Sequence, residues 1–391
     1  MKRRAVVTGM VGSYPVGGVA WDYGQYLAGL QRMGWEVWYL EDTGARGYDP
    51  QRQDFTEGGD YGAGFLAASL PAFGPGLGER WHFRAMDGSR HGVPQERIED
   101  AVASADLFLN VSGGTLLREA YLGCPRKVLI DSDPGFNHFV NYPRWDAQPG
   151  WEGSHGYRAH DAFFTYAERM GAADCTLPDM GLDWQPTRPL VVPEMWPAAS
   201  PLEDAPWTTV MTWNNYRKPV TWQGRGYGSK EMEFPKIAGL PRRFPGSRFQ
   251  IALAGHGNPD AEMREQGWEV VDSHAVSRTP QEYSDYLCGS RGELSVAKNV
   301  YVATRSGWSS CRSICYLAAG LPAVVQDTGF SSVLPTGEGL LAFDDLDGAI
   351  AAVQAVQSDP QRHARAAREI AREHFAADRV LTRLLAAAGL D

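Results

Sequence analysis

The chain has 391 residues, 43% hydrophobic and 21% charged, enough for two folded cores of roughly 150–200 residues each. A formal net charge of −10 argues against a protein whose main work is gripping nucleic acid, since neutralising phosphates takes clustered Lys and Arg. Five Cys, at 124, 175, 288, 311 and 315, include no C-x-x-C pair, which speaks against a zinc or disulfide framework and for buried thiols in a reducing compartment.

The basic start "MKRR" precedes an apolar run far too short for a secretion signal, and no stretch approaches the ~20 apolar residues of a membrane helix. A cytoplasmic protein is therefore expected. The 13 Trp are an excess that suits stacking on sugar rings or bases, although a core accounts for most of them.

In chain order, "RRAVVTG" (3–9) reads as a buried strand, followed by the glycine-rich loop "VTGMVGSYPVGGVAWD" (7–22). Next, 21–34 places Tyr23, Tyr26, Leu27, Leu30 and Met33 on one helical face and stops at Gly34. "EVWYLED" (36–42) is the following strand, so a parallel βαβ unit opens the chain. Further strands are expected at 106–111, 127–131, 162–166 and 190–192, with long irregular insertions at 43–95 and 134–160.

A proline-rich linker at 193–207 separates a second series of strands, expected at 208–213, 248–255, 268–273, 299–306 and 323–328. Thr279 is placed to cap a helix over 279–289, and the tail over 345–388 is helical. The fold class is α/β: two Rossmann-like, doubly wound domains facing across a cleft. Residues 1–195 form the N-terminal domain and 206–375 the C-terminal domain. A terminal helix in 376–391 is available to pack back on the first domain.

Several constellations could carry chemistry. In "TRSGWSSCRSICYLAAGLPAVVQDTG" (304–329), Ser309 or Ser310 caps a helix that follows Ser306 and Gly307. A helix N-terminus flanked by Arg305 and Arg312 suits a diphosphate; a capped core helix with two surface arginines is the plainer alternative. "GRGYGSKEMEF" (224–234) adds Arg225 and Lys230 among alternating glycines, in a loop that is either phosphate-binding or simply solvated.

The first glycine loop departs from G-x-G-x-x-G and suits shaping an acceptor cleft, with Gly17, Gly18 and Trp21 as acceptor contacts. Asp22 is either a general base or a first-turn acid complementing the helix dipole. In "LIDSDPGFNHF" (129–139), Asp131 reads as a contact to substrate hydroxyls. Asp133 and His138 are further candidate bases, with a Mg²⁺ pair or an ordinary turn as alternatives. His160, His256 and Asn258 lie near strand ends.

The segment 301–330 resembles the donor-binding segment of GT-B nucleotide-sugar glycosyltransferases, in which strand, loop, helix ending A-x-G-x-P and strand hold a nucleotide diphosphate. Arg225 and Lys230 are similar to that class's R-x4-K pair. The acids of its E-x7-E motif are missing: Ser306-Gly307-Trp308-Ser309 stands where E-G-F-G would fall, and Ile314 and Cys315 where the second Glu belongs.

The resemblance implies a metal-independent glycosyltransferase with a UDP-sugar co-substrate, no other cofactor and a hydroxyl acceptor. Asp327, Thr328 and Gly329 would lie at the sugar or ribose. Nucleic acid is a disfavoured acceptor. A DNA-base glucosyltransferase, a sugar-nucleotide epimerase and a non-catalytic nucleotide-sugar binding protein are the alternatives.

Overall fold

The computed structural model describes residues 2–200, 203–215, 220–255 and 257–390. The N-terminal half runs β1 (Arg4–Thr8), α1 (Gly17–Arg32), β2 (Glu36–Glu41), the hairpin β3 (Gly47–Asp49) and β4 (Asp54–Thr56), α2 (Asp60–Ser69), β5 (Trp81–Arg84) and β6 (Arg90–Gly92). It continues through α3 (Gln95–Ala103), β7 (Leu107–Val111), β8 (Lys127–Asp131), α4 (Tyr142–Ala147), β9 (Ala162–Thr165) and β10 (Trp184–Pro186).

The C-terminal half runs β11 (Trp207–Thr212), the hairpin β12 (Val220–Trp222) and β13 (Arg225–Tyr227), β14 (Phe249–Ala254), α5 (Asp260–Glu265), β15 (Glu269–Asp272), α6 (Pro280–Cys288) and β16 (Gly292–Ser295). Then come α7 (Asn299–Thr304), α8 (Cys311–Ala319), β17 (Ala323–Gln326), β18 (Leu340–Phe343), α9 (Leu346–Ser358), α10 (Pro360–Ile370) and α11 (Ala377–Ala387).

The first sheet has the order β10-β9-β8-β7-β1-β2-β5-β6, parallel except for β6; the second has the order β15-β14-β11-β16-β17-β18 and is parallel throughout. Ala5, Val6 and Val7 are fully buried, as a central strand covered by helices on both faces requires. In each sheet the strand order reverses once, between β1 and β7 and between β11 and β16. Such reversals open a crevice at the strands' carboxyl ends. The loops that leave β1, β7, β11 and β16 therefore form the walls of any site.

The core between the halves is continuous: α1 packs on α6, α8 and α11, and one apolar cluster joins Leu27 and Tyr26 to Ile314, Leu317 and Leu381. Gly29 makes room for this, since a Cβ there would lie 2.8 Å from the Ala377 Cβ. The tail is tied to the first half by Ala377 N–H donating to Val191 O (2.8 Å) and Val191 N–H donating to Phe375 O (2.9 Å).

Two expected strands are corrected. Residues 299–304 form α7, and the strand lies earlier, at β16, where the polar reading of "GELS" hides Glu293, a fully buried acid neutralised by Arg312. Likewise 190–192 contributes only a single bridge, Val191 to Ala376, while the edge strand is β10. Helix α1 also starts earlier than expected, at Gly17, because its two glycines fit against the α6 entrance. Thr279 caps α6, accepting from the Glu282 N–H at 3.1 Å. No helix among the described residues is long and apolar enough to cross a membrane.

Candidate active site

At the mouth of the second sheet, α7 ends on Arg305 in the left-handed region, and the chain turns through Gly307 (φ +77°) into α8. Ser310 caps α8, its hydroxyl accepting from the Arg312 N–H at 3.3 Å. The half-buried Ser309 has a solvent-shielded hydroxyl with no partner among the described residues.

Arg312 does not reach into the crevice as expected. It donates to Glu293 Oε1 (2.7 Å), to Val210 O (2.7 Å) and to Ser295 Oγ (2.6 Å), holding β11, β16 and α8 together. Arg305 is likewise turned away, paired with Asp174 of the first half at 2.8 Å.

The rest of this turn is also committed internally. Ser306 is fully buried, and Gly307 presses on Arg169, whose Cγ would lie 2.6 Å from an added Cβ. Asp327 accepts from the Gly329 N–H (2.8 Å) and the Ser331 hydroxyl (2.6 Å), while Thr328 donates to Trp308 O (2.6 Å). The side-chain oxygens of Asp327 and Thr328 are thus engaged within their own turn.

Lys230 behaves differently. It is 9% exposed, and its ammonium has no hydrogen-bond or ion-pair partner among the described residues. Burial, and then the neighbouring Arg312 and Lys298 charges, hold its pKa well below the usual lysine value. A buried cation with positive neighbours is costly unless an anion arrives to pair with it.

Arg225 lies on the β12–β13 hairpin, whose two-residue turn has Gln223 at φ +48° and Gly224 at φ +77°, the backbone twist that tight hairpins favour. It is exposed, with its guanidinium 5.3 Å from the centre of the Tyr227 ring. The hairpin is seated on the first half through Trp222 and Tyr227, both ring-to-ring with Phe139 at 5.3 and 4.8 Å.

On the opposite wall the glycine loop is anchored by a residue that sequence reasoning missed, Glu41. The Gly12 N–H (2.8 Å), the Ser13 N–H (2.6 Å), the Ser13 hydroxyl (2.6 Å) and the Tyr39 hydroxyl (2.6 Å) all donate to its buried carboxylate. Three donors from one loop to one acid fix that loop's shape.

Asp22 sits in the second turn of α1, not the first, so the dipole explanation for it fails. It is half-buried. Burial pushes its carboxyl up to about 6, although the Cys311 thiol at the start of α8 donates to it. Cys311 also lies among the charge neighbours of Lys230. Nearby, Tyr23 donates to Ser112 Oγ (3.0 Å), Ser112 meets Ser132 (2.5 Å), and Trp308 Nε1 donates to Ser132 O (3.0 Å).

The remaining candidates are placed elsewhere. Asp131 and His138 are fully buried, joined at 2.9 Å. Asn137 and Thr165 also donate to Asp131, and the other ring nitrogen of His138 bonds Pro178 O, so neither can meet a substrate. Asp133 spans the crevice as a clasp, accepting from Lys298 (2.7 Å) and the Tyr301 hydroxyl.

Gly17, Gly18 and Trp21 are domain contacts rather than acceptor contacts. The Gly17 N–H donates to Ser277 O (2.6 Å), the Gly18 N–H to Ser277 Oγ (3.2 Å), and Trp21 Nε1 to Pro280 O (2.8 Å). The Asn258 amide donates to Gly255 O at 3.2 Å, His160 is buried, and His256 lies outside the described residues.

Chemically, this crevice offers an anion a desolvated cation beside a helix start, and offers a hydroxyl group a carboxylate that ionises near pH 6. Residues 237–386 match the family model described as glycosyl transferase-like. Among solved structures, an alpha-glucosyltransferase in complex with UDP and a 13-mer DNA containing a HMU base superposes over 100% of both chains, with a TM-score of 0.60 and 11% identity. Alr3699/HepE of Anabaena, in complex with UDP and glucose, does so over 100% of both chains with a TM-score of 0.53 and 10% identity. The protein has the GT-B glycosyltransferase fold.

No curated protein sequence matches the chain. Asp22 and Lys230 each lack an ion-pair partner among the described residues, and the pKa of each is shifted by burial.

Proposed function

We propose that this glycosyltransferase moves a sugar from a UDP-sugar to a hydroxyl group without a metal ion. Lys230, with Arg225 closing from the hairpin and Ser309 and Ser310 at the start of α8, takes the diphosphate. Stabilising the departing diphosphate lowers the barrier to breaking the glycosidic bond, and a desolvated cation does this more strongly than one in water. Asp22 takes the acceptor proton; burial tunes it to act as a base at neutral pH.

The observation that carries this reading is the buried Lys230, whose ammonium has no hydrogen-bond or ion-pair partner among the described residues. UDP is favoured as the nucleotide because the superposable alpha-glucosyltransferase and Alr3699/HepE structures both hold it. A DNA acceptor is disfavoured by the net charge of −10.

The test is a thermal-shift titration with UDP, GDP and dTDP on the wild type and Lys230→Met. UDP should raise Tm in the wild type alone. Absence of any nucleotide shift in the wild type would overturn the reading.

A further inference from the structure

A second cavity, of about 550 Å³, is lined only by residues of the N-terminal domain. That volume falls within the roughly 300–1,000 Å³ of ordinary small-molecule pockets. One wall is the turn after β7, residues 112–117; the other is the insertion between β8 and β9, residues 145–160. The turn is a partition. Its Ser112, at φ +60°, bonds Tyr23 and Ser132 on the crevice side, while the adjoining Gly113 lines the cavity.

The floor of the cavity is polar, rigid and uncharged. Asn110 accepts from the Thr8 hydroxyl (2.7 Å) and donates to Thr115 O (2.9 Å) and to His160 Nε2 (3.0 Å), while His160 Nδ1 donates to Tyr157 O (2.6 Å). That pattern selects one neutral tautomer of His160, whose pKa burial lowers to about 4. At the rim Asp146 is paired with Arg158 at 2.8 Å, and His155 hydrogen-bonds Glu119 at 2.8 Å.

Trp145 and Trp151 line the walls; Tyr157 also borders the cavity but is buried, stacked on Tyr142 at 4.3 Å. The Trp145 indole N–H is shielded from solvent and has no acceptor among the described residues. The roof bends through Gly150 and Gly156, both at positive φ, where an added Cβ would meet nothing within 4 Å.

A ligand suited to this cavity is neutral, presents apolar ring faces to indoles, and carries many hydroxyl groups, one of them able to accept from the Trp145 N–H. Those are the properties of a saccharide. We propose that the cavity binds a sugar unit of the acceptor, remote from the hydroxyl that reacts in the crevice beyond the partition. The protein would then act on an oligosaccharide or a glycosylated acceptor. Binding energy gathered at such a remote unit can be used to position the reacting hydroxyl. This proposal rests on the glycosyltransferase reading above.

Saturation-transfer NMR on the full chain tests it, using p-nitrophenyl glycosides of glucose, galactose and mannose, maltotriose, and deoxynucleosides as probes, with and without UDP. At least one glycoside or maltotriose should receive saturation from the wild type. Trp151→Ala, which removes a wall, and Gln148→Trp, which fills the exposed rim, should each weaken that binding at least tenfold while retaining the UDP-induced Tm shift. No transfer to any saccharide, transfer unchanged in both variants, or transfer to nucleosides alone would overturn the proposal. Loss of the UDP shift in the wild type would instead strike the donor reading, so the two failures are separable.

Discussion

Arg312 and Lys230 are both largely shielded from solvent in the C-terminal wall of the crevice, yet only one of them is used by the fold. Arg312 spends its guanidinium on Glu293, Ser295 and the Val210 carbonyl, whereas Lys230 meets no acceptor among the described residues. The N-terminal wall repeats the contrast. Asp131 is surrounded by donors from Asn137, His138 and Thr165, while Asp22 has a thiol for company and a carboxyl pushed up to about 6. A buried charge with all its partners is scaffold; one left short of partners is stored cost, and a site is where a protein has reason to keep it.

Breaking the paired members should therefore harm stability most. Arg312→Met strands the fully buried Glu293 and should cost about 3–5 kcal/mol, read as a large fall in the denaturation midpoint. Asp22→Asn should lower kcat by about 10²–10⁴ with UDP affinity little changed. In the wild type, kcat should fall as pH drops through about 6, where Asp22 takes up its proton.

The same residue has a signature in stability. Its folded pKa lies above the unfolded value, so its contribution is best below pH ~4 and is lost as pH rises through about 6. Asp22→Asn should accordingly stabilise the protein above pH 6, by at most on the order of 3 kcal/mol for a shift of about two pKa units, and by little at pH 4.

Lys230→Met comes next. It should leave apo stability unchanged or raised, while weakening UDP binding by about 1–3 kcal/mol in calorimetry. A Lys230→Met protein less stable than wild type would erase the contrast with Arg312. Arg225→Ala, at an exposed hairpin position, should cost less than about 1 kcal/mol of UDP affinity and no stability. The smallest effect is expected from EDTA: turnover that persists at millimolar chelator fits the metal-free proposal, and its loss would end it.

Much of the architecture was legible because it depends on near neighbours in sequence. The buried runs at β1 and β2, the glycine stop of α1, the Thr279 cap and the α8 helix each declare themselves within a few residues. The misread strand shows the limit. "NVYVAT" carries the β-branched residues of a strand but forms α7, while "GELS" looks polar and is a fully buried strand. The difference is Arg312, which reaches back 19 residues to neutralise Glu293, and no local pattern displays such a pair.

The candidate site was legible in the same uneven way. Cation-bearing loops and acids after strands could be picked out residue by residue. Which acids were already satisfied could not, because Asp131, Asp133 and Asp22 look alike until their neighbours are in place. Glu41 and Lys298 passed unremarked, since a strand-end glutamate and a lone lysine carry no spacing signal.

Chain order and hydrophobic periodicity were enough to define two α/β halves, a linker and a helix start fit for an anion. Those properties follow from backbone hydrogen bonding and from burying apolar faces, which act over a few residues. The assignment of Asp22 and Lys230 to the crevice, of Arg312 and Asp131 to the scaffold, and the very existence of the saccharide cavity were decided by tertiary packing. Desolvation and partner geometry set the free energy of a charge, and both are properties of distant segments brought together.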